Sequence, residues 1–443
     1  MPAHLRFVQD SVHLPDSADV VIIGGGIVGA ACCWELTRKG YRVVVVEKGC
    51  VAAEQSGRNW GWCRQQNRDE RELPLIIHAL QRWRELNEET GEELGFRASG
   101  LVYATRNEQD IRRWESWNEM ASQYGIRSQI LNGTQAKLLT PGSTSDWRGG
   151  VHSPDDGHAD PSLAAPGLMR AAIRRGALLF QRCAVRGLDI SSGKVSGVIT
   201  ERGLIKTQQV VCAAGAWSSL FCRRHGIDLP AGNVIGSALR THPADAIIRG
   251  PFYTDAFSCK PRLDGGYTLA LSGAGRLEPG LQSLLYARQF YPLYKARRMN
   301  LSLKLRAASF YQGPESLARW SMDAVSPFEK MRVLDPAVSA GVVDAALAAI
   351  GNEFPALKGL RVSQSWAGVI DCMPDDVPVI SPVPQLPGLI LSTGYSGHGF
   401  GIGPGAGRLT ADLVTGDPPI VDPAPFSYSR FARGTRPDAP GMM

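Results

Sequence analysis

The chain has 443 residues, 44% apolar and 20% charged, with a formal net charge of +6. At roughly 100–200 residues per domain this allows two or three domains around a large core, and so ordinary a composition excludes disordered, collagen-like and disulfide-scaffold proteins. The positive balance favours anionic substrates or a membrane surface but is too mild to imply nucleic acid by itself.

Nine cysteines without a CxxC pair, two of them adjacent in an apolar segment (Cys32, Cys33), read as reduced thiols of an intracellular protein. The N-terminal stretch lacks the charged and apolar regions of an export signal, and no run reaches the ~20 apolar residues of a bilayer span. A cytoplasmic location is expected, and no metal.

In chain order, residues 19–24 form an apolar run, 30–39 carry apolar residues at helical spacing, and 41–47 form a second apolar run. This is a strand, helix, strand unit of the length a parallel crossover needs. Helices are predicted over 70–95, 107–125 and 162–175, and strands over 99–105, 178–185, 208–212 and 267–271. Residues 147–161, rich in Gly, Pro and Asp, read as loop. A long insertion follows Leu271, and the alternation of 301–306 within it predicts a half-buried strand. From Leu389 the pattern is strand, Gly-rich loop, then helix over 407–414, with a proline-bearing surface tail after Gly416.

Gly24-Gly-Gly-Ile-Val-Gly29 fits GxGxxG at Gly24, Gly26 and Gly29. The pattern supplies a tight turn, close backbone approach to a pyrophosphate and close helix packing, with the helix N-terminus facing the phosphates. Glu47, ending the next strand, can accept hydrogen bonds from ribose hydroxyls. These features predict a dinucleotide without separating FAD from NAD.

Four further segments separate them: Glu54-Gln-Ser-Gly-Arg-Asn-Trp-Gly-Trp62, residues 150–161, Val211-Cys-Ala-Ala-Gly-Ala-Trp-Ser218 and Gly394-Tyr-Ser-Gly-His-Gly-Phe-Gly401. In order and spacing, from about residue 19 to 416, they resemble the D-amino acid oxidase family of FAD-dependent amine and amino acid oxidoreductases. The resemblance implies an α/β fold. A Rossmann-type FAD-binding domain of the glutathione-reductase kind would be assembled from 16–98, 150–228 and 363–425. An α+β substrate domain with a mostly antiparallel sheet would come from 99–149 and 229–362, with a helical insertion at about 273–354 and a tail at 426–443.

It also implies noncovalent FAD held by Gly24, Gly26, Ile27, Val28, Gly29, Glu47, Lys48, Gln55, Ser56, Arg58, Asn59, Trp60, Gly61, Trp62, Val185, Ala214, Gly215, Trp217, Gly394, Tyr395, Gly397, His398, Gly399, Phe400 and Gly401. Ser56, Arg58 and Asn59 can bind phosphate or flavin oxygens, while Trp60 and Trp62 either wall the cavity or belong to the core. The C-terminal Gly-rich loop would present N–H groups to the reduced flavin. His398 is a candidate acid or base, or else a hydrogen-bonding spacer.

The reaction the resemblance implies is hydride transfer from the substrate Cα to flavin N5, giving an imine that hydrolyses to keto acid and ammonia. An amino acid substrate needs a cation for its carboxylate. Many relatives place an arginine just before a PxxPD-like turn, but Trp366-Ala-Gly-Val-Ile-Asp-Cys-Met-Pro-Asp375 has Ile370 there. Lys260 and Arg262 share one face of the predicted strand 257–266 and are candidate replacements, although the same alternation serves two solvated residues; Arg64 is a third candidate. The position aligned with a flavin-linking cysteine is Gly368, with Cys372 displaced from it.

Bacterial L-amino acid deaminases of this superfamily also carry an insertion near 273–354. Such a segment could cover the active site, form a dimer surface or touch the inner membrane. The expected partners are an amino acid or amine and either oxygen or a membrane quinone, with no nucleic acid. Alternatives are a secondary-amine oxidase of the sarcosine or proline kind, a tRNA-modifying flavoprotein, and a structural FAD subunit of a heteromeric dehydrogenase.

Overall fold

The computed structural model describes residues 5–431. Val20–Ile23 and Val43–Val46 are wholly apolar and buried, the pattern of strands covered on both faces, and they pair in parallel. They sit in a six-stranded sheet ordered Val379–Pro382, Leu389–Thr393, Val210–Cys212, Val20–Ile23, Val43–Val46, Leu178–Phe180, in which only the Val379–Pro382 edge is antiparallel. The helix Ile27–Arg38 leaves the first strand through the glycine turn and packs against Gly399–Thr415.

A ten-stranded sheet, antiparallel except for two pairs, forms the second layer. Its spine is the pairing of Gly232–Thr241 with Val362–Cys372, and Phe257–Pro261 lies beyond Tyr267–Leu271. Leu101–Thr105 and Gln129–Asn132 flank Gly149–Ser153 at the far side.

Several expectations are corrected. The predicted loop 147–161 contains the strands Gly149–Ser153 and Gly157–His158, because non-local pairing outweighs its Gly and Asp content. The expected domain boundaries at 149/150 and 362/363 therefore fall at strands of the larger sheet. Residues 178–185 do not form one strand: Leu178–Phe180 joins the parallel sheet, and Val185–Ser191 starts a separate three-stranded sheet. The alternating stretch 301–306 is a strand only over Leu301–Leu303, with Leu303 and Leu305 exposed at the sheet edge. The helical segments of the insertion are separated by irregular stretches, and its last helix, Val342–Glu353, belongs to the core, where Ala346 and Ile350 pack with Tyr267 and Leu269.

The expected glycine loop before residue 407 is shorter than the sequence suggests, because the helix starts at Gly399. A Cβ on Gly403 would stand 2.8 Å from Ile27 Cγ1 and one on Gly405 3.0 Å from Ala79 Cβ, so these glycines let three helices approach closely. That packing offsets their intrinsic cost of about 1 kcal/mol each in a helix. The tail is anchored as far as described: Phe426 and Tyr428 are buried, and Arg430 Nε donates to Asp375 Oδ2 at 2.9 Å. Residues 432–443 of the expected tail lie outside the described residues.

Candidate cofactor and substrate site

Gly24 turns the chain at φ +110° and donates its N–H to Val46 O at 2.9 Å. Gly26 precedes the helix in extended conformation, and a Cβ there would stand 2.9 Å from Ser56 Oγ. Ser56 Oγ accepts the Ile27 N–H at 2.9 Å, joining the glycine turn to the 54–62 loop. Glu47 Oε2 accepts from Gly25 N–H at 2.7 Å and Oε1 from Gly49 N–H at 2.6 Å, while burial pushes its carboxyl above the usual range.

A cleft runs from this turn to the C-terminal loop. Of the sequence-predicted residues, Gly24, Gly26, Ile27, Val28, Glu47, Lys48, Gln55, Ser56, Asn59, Val185, Ala214, Gly215, Trp217, Tyr395, Gly397, Gly399 and Phe400 line it. Gln55 Oε1 is buried without a hydrogen-bond partner among the described residues, so an acceptor stands ready in the wall for a ligand donor. Together with a glycine turn that a side chain would fill, this is a donor and acceptor set that fits FAD.

Other predicted residues sit elsewhere. Gly29 packs against Gly24 rather than lining the cleft. Arg58 does not reach it: its side chain is buried on Ala53 O (2.9 Å), Ala367 O (2.8 Å) and Asp335 (2.7 Å), holding the insertion to the loop. Gly394 lies behind the wall against Met373, and Gly401 packs on the backbone of Trp62 and Cys63. Trp60 and Trp62 meet edge to face at 5.8 Å outside the cleft, with Trp62 continuing onto Tyr103.

His398 lies behind the C-terminal loop, facing Glu72. It is buried, its Nδ1 lies 3.2 Å from Glu72 Oε2, and burial together with Arg68 and Arg64 holds its pKa well below the usual value. Burial likewise raises Glu72 to about 7. Burial and the nearby arginines thus disfavour the charged imidazolium.

Among the candidate cations, Arg262 is taken by the turn: its Nε donates to Asp264 at 3.1 Å and its Nη1 to Thr268 Oγ1 at 3.4 Å. Arg64 Nη1 donates to Gln66 O. Lys260 is 1% exposed and makes no side-chain hydrogen bond or ion pair among the described residues; burial lowers its pKa to about 8. Its Cε lies 2.7 Å from where a Cβ would stand on Gly61 (φ +80°), between the two tryptophans, so this glycine makes room for the lysine. Ile370 packs under Gly397, and a Cβ on Gly368 would meet the flexible end of the Gln55 side chain.

Sequence reasoning missed Glu54, Asp371, Thr393 and Phe328, all lining the cleft. Asp371 Oδ2 accepts from Gly394 N–H at 2.7 Å and Thr393 Oγ1 at 3.3 Å, and its position one residue after Ile370 was the available signal. Phe328 comes from the insertion and carried none.

The chain matches the FAD dependent oxidoreductase family over residues 19–413 and belongs to it, so its cofactor is FAD and it is an oxidoreductase. It is 26% identical over 429 residues to mouse mitochondrial sarcosine dehydrogenase, covering 95% of this chain but only 42% of that longer protein. Among solved structures, L-amino acid deaminase from Proteus myxofaciens in complex with anthranilate is 31% identical with a TM-score of 0.93, covering 98% of each chain. The Proteus vulgaris L-amino acid deaminase with its specific insertion sequence deleted is 28% identical with a TM-score of 0.77, covering 96% of this chain and 97% of that one.

Proposed function

We propose that the protein deaminates an amino acid oxidatively, yielding a keto acid and ammonia. The observation that carries this reading is Lys260, a buried cation that makes no side-chain hydrogen bond among the described residues and is opposed only through space by carboxylates such as buried Asp160, beside a loop that walls the FAD cleft. FAD bound in the cleft supplies the acceptor for the two electrons of the substrate Cα–H bond. Lys260 pairs with the substrate carboxylate, which restores its proton affinity, and Trp60 and Trp62 exclude water around that pair. Arg64 is kept as a second candidate cation, and His398 braces the C-terminal loop through Glu72.

Similarity to the Proteus myxofaciens deaminase over nearly the whole of both chains supports the substrate class, and the lower TM-score against the form lacking its insertion supports a shared insertion. The finer fold reading, a Rossmann-type domain of the glutathione-reductase kind, draws support from the parallel sheet and its glycine turn. Secondary-amine oxidation is the second reading, favoured by the likeness to sarcosine dehydrogenase. Exposed Leu284, Leu285, Tyr291, Met299, Leu305 and Tyr311, with Lys295, Arg298 and Arg306 among them, support peripheral contact of the insertion with an anionic membrane, where a quinone would take the electrons.

Anaerobic mixing of the holoenzyme with L- and D-amino acids and N-methyl amines tests the substrate class. An amino acid should bleach the flavin and release keto acid and ammonia in equal amounts. Bleaching by N-methyl amines alone would transfer the assignment to the second reading.

A further inference from the structure

The insertion reaches back onto the cofactor cleft at one place. Pro327–Lys330 is a single turn opened by a capping box, in which Glu329 Oε1 accepts from Ser326 N–H at 2.9 Å. It delivers Phe328 to the cleft wall, where the ring packs edge to face on Trp217 at 5.6 Å and on Trp320 at 5.2 Å. Residues 329–334 then cross the outside of the Glu47–Glu54 segment.

The contacts that hold this crossing are dense. Arg186 grips Glu329 with both Nε and Nη2 at 2.9 Å, and Arg332 grips Glu201 through two bonds of 2.7 Å. Lys48 Nζ donates to Arg332 O at 2.8 Å and to Met331 O at 3.2 Å, while lying 4.5 Å above the Trp217 ring. Glu54 Oε1 accepts from Lys48 Nζ (2.7 Å), Trp217 Nε1 (3.2 Å) and Leu334 N–H (3.1 Å). Lys48, Glu54 and Trp217 all line the cleft, next to the Glu47 carboxylate that faces a ribose in this kind of site.

We propose that residues 326–335 of the insertion form a latch over the adenosine end of bound FAD, with Phe328 as a direct contact and the Arg186–Glu329 and Arg332–Glu201 pairs as its clasps. Bidentate arginine–carboxylate pairs fix geometry as well as adding energy, so two of them on one short segment hold the aromatic ring in place. The cofactor enters and leaves by displacing this segment, and the insertion sets how long the cofactor stays. This assignment is independent of which amine the enzyme oxidises.

The test uses FAD-stripped full-length protein and follows binding by flavin fluorescence, with ADP as a second probe that carries the adenosine end and no flavin. Phe328→Ala should weaken FAD and ADP by the same factor, on the order of 10- to 100-fold, as expected for losing an aromatic contact. Glu329→Gln leaves every cleft-lining side chain in place and should speed FAD release; Arg186→Gln should do the same, and the double variant no more than either, since both break one clasp. Unchanged FAD release in the clasp variants, or a loss confined to FAD with ADP binding intact in Phe328→Ala, would overturn the latch.

Discussion

The carboxylate of Asp371 accepts the backbone N–H of Gly394 at 2.7 Å, which ties the last residues of the long strand Val362–Cys372 to the loop at the far end of the cofactor cleft. The larger sheet thereby fixes the height of that loop. Asp371→Ala leaves the buried Gly394 N–H without this acceptor, so it should cost about 1–3 kcal/mol in stability and reduce FAD affinity. Asp371→Asn keeps an acceptor oxygen and should retain most of both. Thermal unfolding with and without FAD, together with FAD titration, checks the pair.

Gly26→Val should abolish FAD retention. Its side chain would press on Ser56 Oγ, which holds the helix N-terminus, and would occupy the space a pyrophosphate needs. The purified variant should be colourless, and its flavin released by acid precipitation should be negligible beside that of the yellow parent.

Glu72 gives a pH prediction. Burial raises its pKa from 4.5 to about 7, so the folded state favours the protonated acid. Stability from this group is fully present below the unfolded value and is lost as pH rises through about 7; a shift of this size corresponds to at most about 3 kcal/mol. Glu72→Gln keeps a hydrogen-bonding side chain next to His398 and cannot ionise. Its melting temperature should therefore gain on the parent at pH 8 and match it near pH 5, as read by calorimetry at both values.

The apolar runs at 20–23 and 43–46, the glycine turn and the position of Glu47 were legible because each is fixed by local pattern: continuous hydrophobicity, a φ that favours glycine, and the end of a strand. The strand Gly149–Ser153 was not, since its partners are distant in sequence and its glycines argue against a strand. The helix from Gly399 was hidden for the same kind of reason: its glycines exist for contacts with Ile27 and Ala79, which no local window contains. Lys260 and Arg262 looked equivalent from period-two spacing, and it is the turn carboxylate of Asp264, the Thr268 hydroxyl and the space left by Gly61 that separate them. Phe328 reaches the cleft through an insertion whose path no sequence pattern specifies.

The most direct test of the account is the reductive half-reaction of Lys260→Met, measured anaerobically with an amino acid and with its decarboxylated amine. Methionine keeps an apolar stem beside Gly61 and removes the charge. Losing a charge-assisted bond to a buried carboxylate costs on the order of 2–3 kcal/mol, so kcat/KM for the amino acid should fall roughly 30- to 150-fold while the amine is spared. In the parent, the preference for amino acid over amine should decline above pH 8, where the Lys260 ammonium, at about 8, loses its proton. An equal loss with both substrates, or no loss with either, would contradict the assignment of Lys260 as the cation that recognises the substrate carboxylate.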